Sequence, residues 1–322
     1  MDRILITGIS GFVGRHFLKF LSEQSEECKV CGIDIRIPSY DVEVYRKKLG
    51  LKIEAVDLLN IAAVREILEA FRPNYILHLA SFSSVAYSWK HPADSFVNNT
   101  NIFLNLVTAV GETCPDCRIL SIGSSEEYGN VTEADIPLRE DMPTAPVSPY
   151  AVARVSQEML SKLYVQHYGM DIIMTRSFNH IGPWQDERFV IPSFIMRSLE
   201  LKNKGLTEGT IETGDVSVIR DFVDVRDVVR AYWLLLKNGV KGELYNVCSG
   251  NGHRLSELID MIGNIMGIHI QAKPNPEYIR PGDNQIIIGD KSKLASLLSW
   301  KPQYKLQDTL RDMITDYIGS IE

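Results

Sequence analysis

A serine, a tyrosine and an arginine carry the strongest chemical signal in this chain of 322 residues. In Tyr150-Ala151-Val152-Ala153-Arg154 the phenol and the guanidinium stand four positions apart, which places them on one face of a helix. A cation beside a phenol favours its deprotonated form, so the pair can exchange a proton with a carbinol or carbonyl oxygen. Upstream, Ser121-Ile122-Gly123-Ser124-Ser125-Glu126-Glu127-Tyr128-Gly129 follows an apolar stretch. The Ser124 hydroxyl there can donate a hydrogen bond to that same oxygen.

A second signal lies near the N-terminus. Thr7-Gly8-Ile9-Ser10-Gly11-Phe12-Val13-Gly14 comes between an apolar strand and a helical pattern. Glycines at 8, 11 and 14 allow a tight turn and a close approach to a pyrophosphate, and the helix N-terminus supplies N–H groups to the anion. This predicts a dinucleotide against Gly8, Gly11, Phe12, Val13 and Gly14. Asp34 ends the next strand, twenty residues beyond Gly14, where a carboxylate suits the adenosine ribose. It repels a 2′-phosphate, so NAD(H) is preferred, while Arg36 keeps NADP(H) open. As a strand-end residue, Asp34 could instead serve only a turn. Asp57 and Leu58 follow the third strand towards the adenine, and Leu79 and Ala80 line the crevice after the fourth. His78 reads as a core histidine. With a nicotinamide alongside, Ser124, Tyr150 and Arg154 make a hydride-transfer site.

These residues need a scaffold. Strand patterns fall at Ile4–Thr7, Val30–Asp34, Ile53–Val56, Tyr75–Leu79, Arg118–Ile122 and Asp171–Arg176. Helical patterns at about 11–20, 61–71, 94–110 and 149–168 alternate with them. Near-continuous apolar strands between helices predict a doubly wound parallel sheet of α/β class, with ligands at its carboxyl edge. Beyond Asn179 the rhythm breaks, and 182–217 reads as loops and short elements. A returning strand at 220–225, a helix at about 226–237 and a strand at 243–248 follow. The expected division gives 1–178 plus about 217–247 to a dinucleotide-binding domain. About 179–216 plus 248–322 then form a smaller, discontinuous substrate domain.

Composition narrows the classes. Hydrophobic residues at 45% and charged residues at 23% match an ordinary globular protein. Lys and Arg number 34 against 41 Asp and Glu, a net charge of −7 that argues against nucleic acid or an anionic membrane as partner. No apolar window reaches the length of a membrane span, and no secretory signal is read, so a cytoplasmic location is expected. Two pairs, Cys28/Cys31 and Cys114/Cys117, have CxxC spacing, yet 82 residues separate them. They read as reduced structural thiols, and no metal site is expected.

The motifs carry a resemblance over nearly the whole chain. The TGxxGxxG turn, the SSEEYG stretch and a YxxxK-like pair resemble the extended short-chain dehydrogenase/reductase superfamily that acts on nucleotide sugars. Thr175 to Pro183 (TRSFNHIGP), Arg220 to Asp227 (RDFVDVRD), Tyr245 to Gly250 (YNVCSG), Arg280 to Asp283 and Ser299 to Pro302 narrow it. They resemble the GDP-mannose 4,6-dehydratase and GDP-4-keto-6-deoxy-mannose reductase branch. The resemblance implies that Ser124 contacts the sugar O4 and that Tyr150 exchanges the proton. It makes Glu126 the carboxylate that moves protons during water loss in the dehydratases, though Glu126 could equally bond only local backbone. It assigns Ser83 and Ser125 to the sugar, and Asn179, Arg220 and Arg280 to the phosphates or ribose; a strand-end ion pair is the other reading of Arg220. Asn99 resembles the asparagine that orders the strand-to-helix junction beside the active site, which implies a place against the cofactor. Arg154 replaces the family's lysine: it can still reach the nicotinamide ribose and supply positive field, but it cannot release a proton.

The reading that follows is a GDP-sugar oxidoreductase reducing the C4 keto group of a 6-deoxyhexose. The alternatives are a 4,6-dehydratase, or a C4-epimerase or dehydrogenase with tightly held NAD, and a non-catalytic dinucleotide sensor. Apolar residues on several faces of the 94–110 and 149–168 helices predict a homodimer through a four-helix bundle, as in relatives.

Overall fold

The computed structural model describes residues 1–278 and 284–319, so Arg280 lies outside the described residues. The first half alternates strand and helix: β1 (Asp2–Thr7), α1 (Phe12–Glu23), β2 (Cys28–Asp34), α2 (Glu43–Leu49), β3 (Lys52–Ala55) and α3 (Ile61–Phe71). Next come β4 (Tyr75–His78), α4 (Val85–Lys90), α5 (Pro92–Thr113), β5 (Arg118–Ser124), α6 (Pro149–Tyr168) and β6 (Asp171–Ser177). The second half contributes β7 (Asn179–Ile181), α7 (Val190–Asn203), β8 (Glu208–Thr213), β9 (Ile219–Asp224), α8 (Val225–Asn238) and β10 (Leu244–Val247). The chain finishes with β11 (Gly252–Arg254), α9 (Leu255–Met266), β12 (His269–Pro274), β13 (Ile286–Ile287), α10 (Ser292–Leu298) and α11 (Leu306–Gly319).

Seven parallel strands form the main sheet in the order β10-β6-β5-β4-β1-β2-β3. The direction of winding reverses between β1 and β4, which opens a crevice at their carboxyl ends. The central strands are mostly apolar because helices cover both faces. Against one face, α1 and α8 bury Phe17, Leu18, Val228, Tyr232 and Leu235. Against the other, α3 and α5 bury Leu68, Phe103, Leu106 and Val110. A second core, with Ile195, Leu199, Ile211, Phe222, Ile259 and Met313, lies in the smaller lobe.

Three expectations change here. The 182–217 stretch holds the fourteen-residue helix α7, not only loops. Its apolar residues at 191, 194, 195 and 199 keep helical spacing, and Pro192 sits in the first turn, where no backbone N–H is needed. The strand expected at 220–225 appears as β9, but it pairs with β7, β11 and β13 in a separate sheet. Residues 217–224 therefore part from the dinucleotide sheet, whereas α8, directly after them, packs on α1. Conversely, Leu294 and Trp300, expected in the substrate domain, are buried in the core of the main sheet.

Candidate active site

A cleft of about 1690 Å³ runs along the carboxyl edge of the main sheet and beneath the smaller lobe. The β1–α1 turn forms one end. Gly8 has φ +72°, and a Cβ on it would come 2.8 Å from the Ala80 nitrogen. At Gly14 a Cβ would meet the Ile9 carbonyl oxygen at 2.6 Å. No side chain caps the first turn of α1, whose N-cap is Gly11. A bare helix N-terminus behind a turn without side chains fits a pyrophosphate. Gly8, Gly11, Phe12, Val13 and Gly14 all line this end.

Asp34, Asp57 and Leu58 line the neighbouring wall, as do Leu79 and Ala80. Asp34 is partly engaged: Ser10 donates its backbone N–H to Oδ2 at 3.0 Å. Asp57 accepts the Leu59 N–H at 2.8 Å. Behind this wall, Thr7 Oγ1 accepts the Ala80 N–H at 3.2 Å and lies 2.9 Å from His78 Nδ1. Burial drives the His78 imidazole down to about 3, so it sits there uncharged.

The reacting end is built by β5 and α6. Ser148 caps α6 by accepting the Ala151 N–H at 3.1 Å, and Pro149 opens its first turn beside Tyr150. Arg154, one turn on, is 5% exposed and donates through Nε to Tyr150 Oη at 3.2 Å. One terminal nitrogen donates to the Ile122 carbonyl (2.9 Å) and to Gln157 Oε1 (2.8 Å), the other to Ser81 Oγ at 2.5 Å. Four of its five N–H groups are thus spent on the protein, one of them on Tyr150. Because an arginine only donates, Tyr150 Oη accepts from it and keeps its own proton for the cleft. Ser124 repeats the arrangement. Its Oγ accepts the Glu126 N–H at 3.2 Å, which leaves the hydroxyl proton to donate elsewhere. Both residues line the cleft. Two hydroxyls that each accept from the protein and donate outward suit one carbonyl oxygen.

Glu126 also lines the cleft. Glu127, next to it, points inward with no exposure and accepts the Ser124 N–H at 2.6 Å. Its Oε2 is 3.8 Å from Arg176 Nε, and the carboxyl lies beside that of Glu158. Arg176 grips Glu158 through two nitrogens, at 3.0 and 3.1 Å. Burial and the neighbouring Glu158 push the Glu127 carboxyl well above the usual carboxylate range. Although burial opposes it, the Arg176 fork holds Glu158 below that range.

The remaining expected residues divide. Ser83, Asn179 and Arg220 line the cleft beneath the smaller lobe. Ser125 and Asn99 are buried outside its lining. The Asn99 amide accepts the Phe82 N–H (2.7 Å) and donates to the Phe82 carbonyl (3.0 Å), holding the loop after β4. Its side chain lies behind the wall, outside the cleft lining. Sequence reasoning missed Gln157, which fixes Arg154, and the cleft cations Lys90 and Arg197; no spacing rule marks a lone polar residue inside a helix. Arg188, in the loop before α7, also lines the cleft. Among the described residues, no group of three or more His, Cys, Asp or Glu is placed to hold a metal.

A dinucleotide turn at the switch point and a Ser–Tyr pair beside it define the extended short-chain dehydrogenase/reductase class. The family model for GDP-mannose 4,6 dehydratase matches residues 5–313, and the chain belongs to that family. A curated GDP-6-deoxy-D-mannose reductase from Pseudomonas aeruginosa is 30% identical over 98% of this chain and 97% of its own. The structure of RMD from Pseudomonas aeruginosa complexed with NADPH superposes with a TM-score of 0.84. It is 29% identical and covers 99% of this chain and 98% of that one. The Thermus thermophilus UDP-glucose 4-epimerase in complex with NAD gives 0.85 at 29% identity, covering 99% of both chains.

Proposed function

We propose that this enzyme reduces the C4 keto group of a GDP-linked 6-deoxyhexose. The observation that carries the reading is the pair of hydroxyls, Ser124 and Tyr150, each accepting a hydrogen bond from the protein and each free to donate into the cleft. The curated reductase relative supports the substrate class. A reduced nicotinamide, when bound, supplies the hydride. Ser124 holds the keto oxygen, Tyr150 gives it the phenolic proton, and the fixed charge of Arg154 stabilises the phenolate left behind. Asn179 and Arg220 are the proposed phosphate and ribose contacts, and Ser83 a proposed sugar contact, all on the cleft wall. Glu126, on the same wall, favours a second reading as a 4,6-dehydratase.

The test is absorbance of the reduced nicotinamide with GDP-4-keto-6-deoxy-mannose as substrate. Stoichiometric loss with NADH or NADPH is expected. No loss with either would overturn net reduction and leave the dehydratase reading, in which the hydride returns to the sugar.

NAD(H) is the proposed cofactor, because Asp34 would face a 2′-phosphate. Asp34→Asn keeps an acceptor for the Ser10 N–H and removes the charge. It is expected to shift the NADPH-to-NADH ratio of kcat/KM upwards about tenfold, which corresponds to about 1.4 kcal/mol. An unchanged ratio would assign Asp34 to the turn alone.

A homodimer through α5 and α6 is also proposed. Phe96, Val97, Val152, Met159 and Leu163 are exposed there, Met159 at 64%. An uncovered apolar patch on two adjacent helices suits a self-complementary interface. Light scattering is expected to give twice 36.4 kDa, and Met159→Lys to return the mass towards the monomer. A monomer mass for the parent protein would remove the proposal. No described helix is long and apolar enough to cross a membrane, and a cytoplasmic location is proposed alongside five free thiols.

A further inference from the structure

We propose that Cys114 and Cys117 form a redox-active dithiol that exchanges with low-molecular-weight disulfides at a site remote from the dinucleotide cleft. The pair follows the last residue of α5 in Cys114-Pro115-Asp116-Cys117. Cys117 donates its N–H to the Cys114 carbonyl at 3.0 Å, closing a four-residue turn with proline second. Such a turn brings its outer Cα atoms within about 7 Å, and disulfides span roughly 4.4–6.8 Å. Bridging the two thiols therefore asks little of the backbone. The Thr113 hydroxyl donates to Cys114 Sγ at 3.6 Å, and Cys117 Sγ donates to the Arg118 carbonyl at 3.8 Å.

Access is one-sided. A surface hollow of about 570 Å³ opens over the amino ends of β4 and β5, with Arg72, Asn74 and Arg118 among its walls. Cys114 is partly exposed beside it, while Cys117 is 2% exposed. The neighbouring Cys117 thiol, the Thr113 hydroxyl and the Arg72 charge hold the Cys114 thiol down at about 7. These offset both the partial burial of Cys114 and the unfavourable carboxyl end of α5. The other three cysteines lack these features. Cys28, Cys31 and Cys248 are buried, and burial pushes all three thiols up, Cys31 to about 12. Burial and raised thiols thus set those three apart from Cys114.

The exchange balances without a further reagent. The Cys114 thiolate attacks one sulfur of the small disulfide, a protein–S–S–R bond forms, and one thiolate leaves. Cys117 then loses its proton and attacks the Cys114 sulfur, expelling the second thiolate. The protein dithiol is oxidised by two electrons, and the small disulfide is reduced to two thiols that take both protons.

The experiment uses full-length protein loaded with dinucleotide, reduced, freed of reductant and exposed to oxidised glutathione. Acid-quenched intact mass and peptide maps provide the readout. The parent protein is expected to lose two hydrogens and show a 114–117 cross-link that dithiothreitol reverses. Cys117→Ser should stop with glutathione on Cys114, and Cys114→Ser should leave Cys117 unmodified, with circular dichroism confirming that both fold. With limiting iodoacetamide, Cys114 should be alkylated at least about tenfold faster than the other thiols. Absence of reaction, a persistent glutathione adduct in the parent protein, or faster modification of another cysteine would each overturn the proposal.

Discussion

Replacing Tyr150 with phenylalanine is expected to lower kcat by about 10²- to 10⁴-fold while leaving dinucleotide affinity within about threefold. The phenol is 7% exposed, sits in the first turn of α6, and receives the Arg154 Nε–H. Phenylalanine fills nearly the same space, so the fold and the glycine turn should not change. What disappears is the proton donor, together with the acceptor for one arginine N–H. A kcat close to that of the parent enzyme would move the proton to another group, and Glu126 would be the first to examine. Ser124→Ala is the companion measurement. It removes one donor to the keto oxygen, an effect on the scale of a lost oxyanion contact, about 10²-fold or more.

The second large effect is on stability. Arg176→Leu is expected to destabilise the protein by about 3–5 kcal/mol, because it leaves the buried carboxylate of Glu158 without its bidentate partner. Arg176 is 2% exposed, faces the Tyr128 ring at 4.5 Å and also donates to the Met142 carbonyl. Urea midpoints at neutral pH check the loss, and a change below about 1 kcal/mol would show that the pair is not desolvated. Glu127→Gln makes the contrasting prediction. The Glu127 carboxyl holds its proton above the usual carboxylate range. Between its unfolded and folded values, the folded state therefore binds one proton more, and stability falls as pH rises through that window. Glutamine keeps the Ser124 N–H acceptor and carries no titrating group. The variant should flatten the slope while remaining within about 1 kcal/mol of the parent in mildly acidic solution. Glu158 acts with the opposite sign: its lowered value contributes stability that is lost as the solution is acidified.

Much of the architecture was legible because its determinants are local. The apolar strands up to Asp171, the long amphipathic helices and the glycine turn each need only their own residues and spacing. Tyr150 and Arg154 were placed by helical periodicity alone. The errors came where tertiary partners decide. The strand after Val218 looks like any buried strand, and only pairing with β7, β11 and β13 reveals its sheet. Helix α7 was hidden by flanking polar and glycine residues and by Pro192, which is harmless in a first turn. Ser125 shares its neighbours' chemistry but is buried outside the cleft lining, in the short helical turn at Ser125–Tyr128. The fate of the Arg154 donors could not be read from residue type either. It depends on Ser81, Ile122 and Gln157, far apart in sequence.

The junction between β9 and α8 limits how this enzyme can be recombined with its relatives. Asp224 closes the smaller lobe's strand, caps α8 by accepting the Arg226 N–H at 2.7 Å, and receives the Thr309 hydroxyl of α11 at 2.6 Å. The next residues bury themselves against the main sheet. One carboxylate thus ties three segments of chain that belong to two lobes. A chimera meant to import another sugar specificity as one continuous cassette would cut through this knot. An exchange that respects it must carry β9, the first turn of α8 and α11 together.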